Sequence, residues 1–369
     1  MARRLPARRA PRRGARFGRR PPPGCRRRRH PGAARRTRGD PGGPHPLALR
    51  TAQPPGGRRP LRTGRVGLHR RRGAGPPHRG QVVKLLIIGG PTATGKTAAA
   101  IEVARRWPVR LVSADAMQVY RGMDIGTAKP DPATLAAFPH ACIDVRDPDE
   151  DFSVADFVSA VEEARRHHER VVVVGGTSFW LSALVRPLAA LPPSDPAVRA
   201  ELEALPDPHA RLAAVDPDSA ARLHPHDRVR VIRALEVHAL TGRPMSALWA
   251  EGPRHPPVDA EIAWLDREDL RPRIGQRLHR MMEAGYLDEV AALVARGYGP
   301  QHKPMRSLGY AHLSAHLRGE LDLAEALRRT ERDTWRLARK QRTWGRGMGW
   351  QPTDPSGVLR AAERAFGAD

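Results

Sequence analysis

One stretch of sequence determines the fold class of this chain: Gly90-Pro91-Thr92-Ala93-Thr94-Gly95-Lys96-Thr97. It matches the pattern G-x-x-x-x-G-K-[ST] at every fixed position. The apolar run 82–88 precedes it, and the run 98–106, which has high helical propensity, follows it. Strand, loop and helix in this order predict a phosphate-binding loop, because backbone N–H groups and the helix dipole attract phosphate oxygens there. Lys96 would add a positive charge, and the Thr97 hydroxyl would be a ligand for Mg²⁺.

Composition divides the chain near residue 80. Residues 1–80 contain 25 arginines, no lysine and one acidic residue, Asp40, so they carry +24 of the net charge of +25. The rest of the chain has 39 basic and 38 acidic residues, a net charge of +1. The isoelectric point near 11.5 therefore reflects mainly the first 80 residues. Nucleic-acid binding by the remainder has to be argued from local patches.

We predict that residues 1–80 are disordered, because a segment rich in Arg, Pro and Gly buries too little apolar surface to offset its ordering entropy. Three interpretations of this leader remain open. It is a basic arm that binds RNA, an organelle transit peptide, or an upstream reading frame included by a misplaced start. The segment has no serine and little helical periodicity, which argues against the transit peptide.

The cysteine content and the apolar runs indicate a cytoplasmic protein. Cys25 and Cys142 are the only cysteines, so neither a disulfide framework nor a cysteine zinc cluster is expected. No apolar stretch is long enough to span a bilayer. No signal-peptide core follows the basic start.

The periodicity after the phosphate loop predicts an α/β fold. Residues 109–113, 171–174 and 262–265 are expected to be strands, the last of them closing the sheet, and 154–168 an amphipathic helix between the first two. We therefore predict a P-loop NTPase-like parallel sheet flanked by helices.

Two other regions show helical patterns without strand candidates. From Pro192 to Pro257 prolines break up helical segments, which predicts a helical insertion in the α/β core. Beyond Asp266 the pattern is again helical. The predicted domains are the leader 1–80, the first part of the core 81–192, the insertion 193–257, which would grip RNA, and the rest of the core with basic C-terminal helices 258–369.

The positions of the acidic residues reduce the number of reactions that this phosphate loop could support. The strand 171–174 ends in Gly-Gly-Thr, so the usual carboxylate that organises magnesium and water is missing there, and Asp144 is the fallback candidate. We expect the strand 109–113 to lie beside the strand of the phosphate loop. It leads into Asp115, which then lies at the carboxyl edge of the sheet, where ligands bind. Asp115 is then a general base or a metal ligand, although by its position alone it is equally compatible with a helix cap.

The residues that follow resemble one family closely. The segment 115–130, Asp-Ala-Met-Gln-Val-Tyr-Arg-Gly-Met-Asp-Ile-Gly-Thr-Ala-Lys-Pro, is similar to the tRNA dimethylallyltransferase (isopentenyltransferase) family. Further matches follow in the family's order: His140 to Val145, Gly175-Gly176-Thr177, Arg233 to Val237, Thr241-Gly242, and Thr334 to Trp344. The resemblance covers residues 82–350 and excludes the leader.

This resemblance implies transfer of a dimethylallyl group from dimethylallyl diphosphate to the exocyclic amine of the adenosine just 3′ of the tRNA anticodon. The phosphate loop, residues 90–97, would hold the diphosphate, with Mg²⁺ at Thr97. Asp115 matches the family's general base and Arg277 its diphosphate-binding arginine. A transferase that expels diphosphate needs no carboxylate to organise an attacking water, in agreement with the missing acid after residue 174.

The target base must be extruded from the RNA, so the protein has to grip the anticodon stem-loop. We expect a monomer. By resemblance the RNA-contacting residues are Asp115, Ala116, Met117, Gln118, Thr177, Arg199, Val229, Arg230, Val231, Ile232, Arg233, Arg306, Ser307, Leu308, Gly309, Tyr310, Arg339, Lys340, Gln341, Arg342, Thr343, Trp344 and Arg346. Physical support comes from a C-terminal basic stripe, although such a run is also typical of a solvated helix face. The stripe comprises Arg328, Arg329, Arg332, Arg336, Arg339, Lys340, Arg342 and Arg346.

Two departures from the family pattern and three rival functions complete the sequence evidence. Ala116 stands where the family usually has Ser, and Ser178-Phe179-Trp180 stands where it usually has Gly-Leu-Tyr, which leaves the preference among RNA loops open.

Three other functions compete with tRNA prenylation: a small-molecule phosphotransferase, a transferase that prenylates free adenosine nucleotides, and an RNA-binding protein with a nucleotide switch. The basic segment ending in Trp344 disfavours the first two, and the joint presence of Asp115 and Arg277 disfavours the third.

Overall fold

The computed structural model describes residues 84–253 and 256–367. The predicted disordered leader lies outside these residues. None of the helices in the described ranges combines the length and the apolar character needed to cross a bilayer.

A parallel six-stranded sheet forms the core, in the order β3-β2-β4-β1-β5-β6. Its strands are β1 Lys84–Gly89, β2 Arg110–Ser113, β3 His140–Ala141, β4 Arg170–Gly175, β5 Glu261–Leu265 and β6 Pro352–Thr353. Since all pairs are parallel, the carboxyl ends of the strands lie along one edge. This edge carries the phosphate loop after β1 and Asp115 after β2.

Helices connect the strands and cover both faces of the sheet. The first part of the core contains α1 Lys96–Arg106, α2 Pro132–Ala137, α3 Val154–His167 and α4 Ser178–Val185. The middle of the chain contains α5 Pro196–Glu203, α6 Pro208–Val215, α7 Pro217–Arg222, α8 Arg228–Thr241 and α9 Met245–Ala250. The C-terminal part contains α10 Leu270–Glu283, α11 Tyr286–Ala295, a 3₁₀ turn Lys303–Arg306, α12 Tyr310–Leu317, α13 Leu323–Gly347 and α14 Pro355–Phe366.

The alternation of side chains along the strands explains the two covered faces. In β1, Leu85 and Ile87 pack into one apolar cluster with residues of α3, α4 and α11, whereas Leu86 and Ile88 pack into another with α1 and α14. All four side chains are buried, as expected for a parallel strand covered on both sides. Residues 85–88 are all apolar because both faces of β1 are covered.

The segment predicted as a helical insertion contains five helices, α5 to α9, which have their own apolar cluster. Leu212, Val231, Leu235 and Leu248 are among its buried members. Capping aspartates begin four of these helices, and prolines follow the cap in three of them. The prolines seen in the sequence therefore mark helix starts as well as breaks.

Three details of the sheet differ from the expectation. Residues 261–265 are not the last strand, because β6 pairs beyond them. Both β3 and β6 have only two residues, too few for a periodic signal. The strand that leads to Asp115 also does not lie beside the strand of the phosphate loop, because β4 lies between them. A crossover connection of this kind is set by long-range packing, which a local pattern does not reveal.

Candidate active site

The phosphate loop connects β1 to α1 and bounds a cavity of about 170 Å³. Gly90 begins the loop with a φ of 148°, and a Cβ there would lie 2.1 Å from the Leu265 carbonyl oxygen, so only glycine fits. Lys96 and Thr97 are the first residues of α1 and line the cavity with Thr92, Ala93 and Gly95. Pro91 and Thr94 are buried behind the loop, where the Thr94 hydroxyl donates to the Pro91 carbonyl at 2.9 Å.

The Lys96 side chain is hydrogen-bonded to the phosphate loop itself. Its Nζ donates to the Pro91 carbonyl at 2.6 Å. The pKa of Lys96 is lowered to about 7, chiefly by burial and also by the positive charge of Arg277, while the negative charge of Asp115 acts in the opposite direction. The free site therefore holds a cation whose charge is only partly retained at neutral pH, and an anion bound in the cavity would restore it.

Asp115 and Arg277 both line this cavity, although 161 residues separate them in the chain. The Asp115 carboxylate accepts from the Met117 backbone N–H at 2.9 Å, which fixes its direction in an Asx turn after β2. Arg277 lies on α10 and donates to the Thr92 hydroxyl at 3.3 Å. Burial lowers the pKa of Arg277, and the nearby Asp115 charge raises it. One carboxylate and two cations therefore converge beside the phosphate loop.

The turns after β2 and β4 are joined to each other. The Ala116 N–H donates to the Thr177 hydroxyl at 2.9 Å, and the Thr177 N–H donates to the Ala114 carbonyl at 3.0 Å. Thr177 is thereby held next to Asp115. The side-chain oxygen of Gln118 accepts from the Ser113 hydroxyl at 2.9 Å, so the Gln118 side chain is held at the cavity wall.

Gln341 closes the cavity from the C-terminal helix α13. Its side-chain oxygen accepts from the Thr92 N–H at 2.9 Å, and its side-chain nitrogen donates to the Gly176 carbonyl at 2.7 Å. Gln341 is 7% exposed. The resemblance placed this residue among the RNA contacts, whereas here its amide is used to join the phosphate loop to the turn after β4.

The other residues predicted to contact RNA do not line this cavity, as far as the described ranges extend. On α8, Val229 and Arg230 are exposed, whereas Val231 and Ile232 are buried in or against the insertion. Arg199 and Arg233 both approach the buried carboxylate of Glu236, at 3.8 and 2.7 Å. Their guanidinium groups therefore compensate the buried negative charge of Glu236.

The segment 306–310 contains one exposed cation and a buried anchor. Arg306 is exposed, Ser307 and Leu308 are half-buried, and Gly309 is buried. Tyr310 is 1% exposed and donates its hydroxyl to Glu289 at 2.6 Å. The same Glu289 carboxylate accepts three backbone N–H groups of residues 124–126. Tyr310 therefore supports the loop that continues to Thr127 at the cavity wall.

The basic stripe of α13 divides into a paired and an unpaired part. Glu325 pairs with Arg328 and Arg329, and Asp333 pairs with Arg332 and Arg336. Arg342 pairs with Asp266 at 2.9 Å. Arg339, Lys340 and Arg346 are exposed and make no ion pair within the described part of the chain, and Thr343 and Trp344 are exposed beside them. The uncompensated charge in the described part of α13 is thus confined to its C-terminal end, on both sides of Gln341 in the sequence.

Several cavity residues were not predicted as site residues. Their signal in the sequence was the long family-like segment and the turn after β4, but no spacing rule singles them out. They are Ser113, Thr127, Ala128, Pro130, His140, Val174, Gly175, Gly176 and Leu337. The fallback acid Asp144 is not among the cavity residues and pairs with Lys129 at 2.6 Å.

A strand, a glycine-rich loop and a helix around a cationic cavity at the carboxyl edge of a parallel sheet define a P-loop protein that binds a phosphate-containing ligand. Comparison with known proteins narrows this class. A profile described as IPP transferase matches residues 118–348. The chain therefore belongs to the IPP transferase family.

Individual relatives agree with this assignment. The chain is 44% identical over 271 residues to tRNA dimethylallyltransferase 1 of Citrifermentans bemidjiense, a match that covers 71% of this chain and 89% of that protein. A crystal structure of a tRNA isopentenylpyrophosphate transferase from Staphylococcus epidermidis is similar, with 30% identity, a TM-score of 0.54, and coverage of 76% of this chain and 96% of the other. A eukaryotic dimethylallyltransferase acting on tRNA shares the fold, with 24% identity, a TM-score of 0.64, and coverage of 77% and 76%.

Proposed function

We propose that this protein transfers a dimethylallyl group from dimethylallyl diphosphate to the exocyclic amine of an adenosine in tRNA, adjacent to the anticodon on its 3′ side. The observation that supports this reaction best is the convergence of the phosphate loop, Asp115 and Arg277 on one cavity. Similarity to proteins named tRNA dimethylallyltransferase supports the choice of substrates.

The diphosphate would lie against the phosphate loop. Backbone N–H groups at the start of α1, the Lys96 ammonium and the Arg277 guanidinium would bind its oxygens. As the allylic C–O bond breaks, its electron pair passes to the diphosphate, and these cations stabilise the developing negative charge. The burial of Lys96 and Arg277 strengthens this interaction, because the local dielectric constant is lower than in water.

Asp115 would be the general base. The adenine amine attacks the allylic carbon, a C–N bond forms, and the Asp115 carboxylate accepts the proton that the nitrogen loses. The backbone N–H of Met117 holds the carboxylate in place, and Thr177 and Gln118 flank it. The reaction therefore needs no acid that organises water.

The cavity offers Mg²⁺ a hydroxyl ligand from the protein. Within the described residues no group of three or more His, Cys, Asp or Glu could hold a metal ion. Mg²⁺ commonly binds through a few protein oxygens together with substrate phosphates and water. The Thr97 hydroxyl at the cavity wall is the protein ligand that we propose, and the ion would neutralise charge on the leaving diphosphate.

The proposed RNA substrate is an anticodon stem-loop. The unpaired cations at the end of α13 lie next to the cavity in sequence, and the exposed Val229 and Arg230 lie on the helical insertion 193–257, which we propose grips the RNA. We further propose that the protein acts as a monomer in the cytoplasm, where tRNA is available to it.

The test uses the full chain with dimethylallyl diphosphate, Mg²⁺ and an adenosine-containing anticodon stem-loop. Mass spectrometry of the RNA should show the addition of one dimethylallyl group, and Asp115→Ala should abolish it. Chelation of Mg²⁺ should stop the reaction, and added Mg²⁺ should restore it. Unmodified RNA together with turnover of ATP would instead establish a small-molecule phosphotransferase, and modification of free AMP would establish the nucleotide-prenylating rival.

A further inference from the structure

Two aromatic side chains are exposed next to each other near the cavity. Phe179 on α4 is 45% exposed and Trp344 on α13 is 42% exposed. Their rings are arranged edge to face, with centroids 6.4 Å apart. Paired exposed rings of this size are uncommon on a surface that binds nothing, because each leaves a large apolar area in water.

Both rings lie within one helical turn of residues that form the cavity. Phe179 is in the first turn of α4, three residues after Gly176. Trp344 follows Gln341 by three residues and therefore shares its face of α13. The hydrogen bond from Gln341 to the Gly176 carbonyl fixes the two helices to each other at this point. Each ring is therefore three residues in the sequence from a residue that lines the cavity, Gly176 or Gln341.

Phe179 is a departure of this chain from the family pattern. Of the three changed residues, Trp180 is buried and stacks on Phe157 with ring centroids 4.9 Å apart, so it belongs to the core. Phe179 replaces the usual leucine and is exposed. The sequence change therefore adds a flat ring to the surface beside Trp344.

The charge around the pair identifies the kind of partner. Arg339 and Lys340 precede Trp344, Arg346 follows it, and these three side chains make no ion pair in the part of the chain that the structure describes. Of these, Lys340 is four residues before Trp344 and shares its face of α13. A flat ring with a cation beside it fits single-stranded nucleic acid, because a base stacks on the ring while a phosphate meets the cation.

We propose that Phe179 and Trp344 form a stacking surface for one unpaired base of the RNA substrate, next to the adenosine that enters the cavity. This inference rests on the proposed function. A stacked neighbouring base would hold the loop open once the reacting adenosine has left the stack. Stacking tolerates any base, so the surface would select an unpaired nucleotide at that position and not a particular sequence.

The test combines protein variants with altered RNA. Phe179→Leu restores the usual family residue, and Trp344→Leu removes the second ring. Binding to a fluorescent anticodon stem-loop is measured by anisotropy for the full chain, alongside a series of stem-loops that each lack one base but keep the target adenosine. Arg339→Gln is the matched control for a charge contact, and melting curves verify that all variants fold.

With the intact stem-loop, each aromatic variant should raise the Kd about tenfold. One stem-loop without a base should bind the wild-type protein about tenfold more weakly and show no further loss with the variants, whereas Arg339→Gln should weaken binding to every RNA. Variants that bind within about twofold of the wild type, or a loss that persists with every altered stem-loop, would overturn the stacking surface. Because binding is measured separately, RNA that binds without being prenylated would refute the proposed reaction and leave the stacking result interpretable.

Discussion

The side-chain oxygen of Gln341 accepts a hydrogen bond from the backbone nitrogen of Thr92 at 2.9 Å. This bond connects the helix that carries the free cations to the loop that would hold the diphosphate. The second bond of the same amide, to the Gly176 carbonyl, extends the connection to the turn beside Asp115. The phosphate side and the proposed RNA side of the site are thus mechanically joined through one buried residue.

Replacing Gln341 by Glu should impair diphosphate binding. The carboxylate cannot donate to the Gly176 carbonyl, and it places a negative charge beside the phosphate loop. We expect the KM for dimethylallyl diphosphate to rise about tenfold or more. Steady-state kinetics measure this change, and Arg336→Gln on the exposed side of α13 is the control. An unchanged KM would mean that the bridge has no part in holding the loop.

Asp115→Asn should abolish most of the transfer while keeping the shape of the site. Asparagine can still accept from the Met117 N–H but cannot take up the proton of the adenine amine. We expect kcat to fall by about 10²- to 10⁴-fold, with little change in the Kd for either substrate. Asp144→Asn is the control, since Asp144 pairs with Lys129 and its side chain does not line the cavity. A larger loss in the Asp144 variant than in the Asp115 variant would contradict the assignment of the base.

The charge of Lys96 predicts a pH dependence of diphosphate binding. Its pKa in the free site is lowered to about 7, so Lys96 is a cation below that pH and becomes neutral above it. Because the anion prefers the cation, the KM for dimethylallyl diphosphate should rise as the pH increases through about 7. Lys96→Met should bind more weakly at low pH and lose this part of the dependence, while the titration of the diphosphate itself is common to both proteins.

The lowered pKa of Lys96 also determines how the free energy of unfolding changes with pH. In the unfolded chain Lys96 has the ordinary lysine pKa of about 10.5, so between about pH 7 and 10.5 the unfolded chain binds more protons than the folded chain. Lys96 therefore contributes an increase in the free energy of unfolding as the pH rises through this window. Comparison of denaturant titrations of the wild-type protein and Lys96→Met isolates this contribution.

The division of the basic stripe on α13 predicts which cations contribute to RNA affinity. Arg339→Gln should lower the slope of log Kd against log salt concentration by about 0.7 to 0.9, the value for one lost phosphate contact. Arg332→Gln should leave the slope unchanged, because Arg332 is paired with Asp333. Anisotropy titrations at several salt concentrations make the comparison. Equal slopes for the two variants would show that ion pairing on the helix does not select the RNA-binding face.

Replacement of Glu236 should destabilise the insertion, residues 193–257. Its buried carboxylate accepts from the Ser194 hydroxyl, the Asp195 N–H and Arg233. Burial raises the pKa of Glu236, but these hydrogen bonds outweigh it, and the net pKa is lowered. Glu236→Ala should reduce the free energy of unfolding by about 3 kcal/mol, whereas the more exposed Glu203→Ala should reduce it by less than about 1 kcal/mol.

Kinetics of the same variant test the domain assignment. We expect Glu236→Ala to weaken RNA binding and to leave the KM for dimethylallyl diphosphate unchanged, because none of the described residues of the insertion lines the cavity. A change in the KM for the diphosphate alone would contradict an RNA-gripping role for residues 193–257.

Local patterns predicted the parts of the structure that depend on neighbouring residues. The phosphate loop, the helix that begins at Lys96 and the apolar strands followed from spacing and propensity, and the resemblance added Arg277. The pairing of Arg332 with Asp333 also lies within one turn of a helix. The two-residue strands β3 and β6 and the position of β4 could not be predicted, since they depend on contacts between distant segments.

The sequence by itself determined that the chain is a P-loop α/β protein, because the phosphate-loop motif needs only adjacent backbone groups and one lysine. Tertiary structure alone decided that Gln341 meets Thr92, 249 residues away, and that Arg342 is neutralised by Asp266, 76 residues away. It also decided that Phe179 meets Trp344. Such contacts result from helices packing across the sheet edge, and no local spacing rule encodes which distant side chains will face each other.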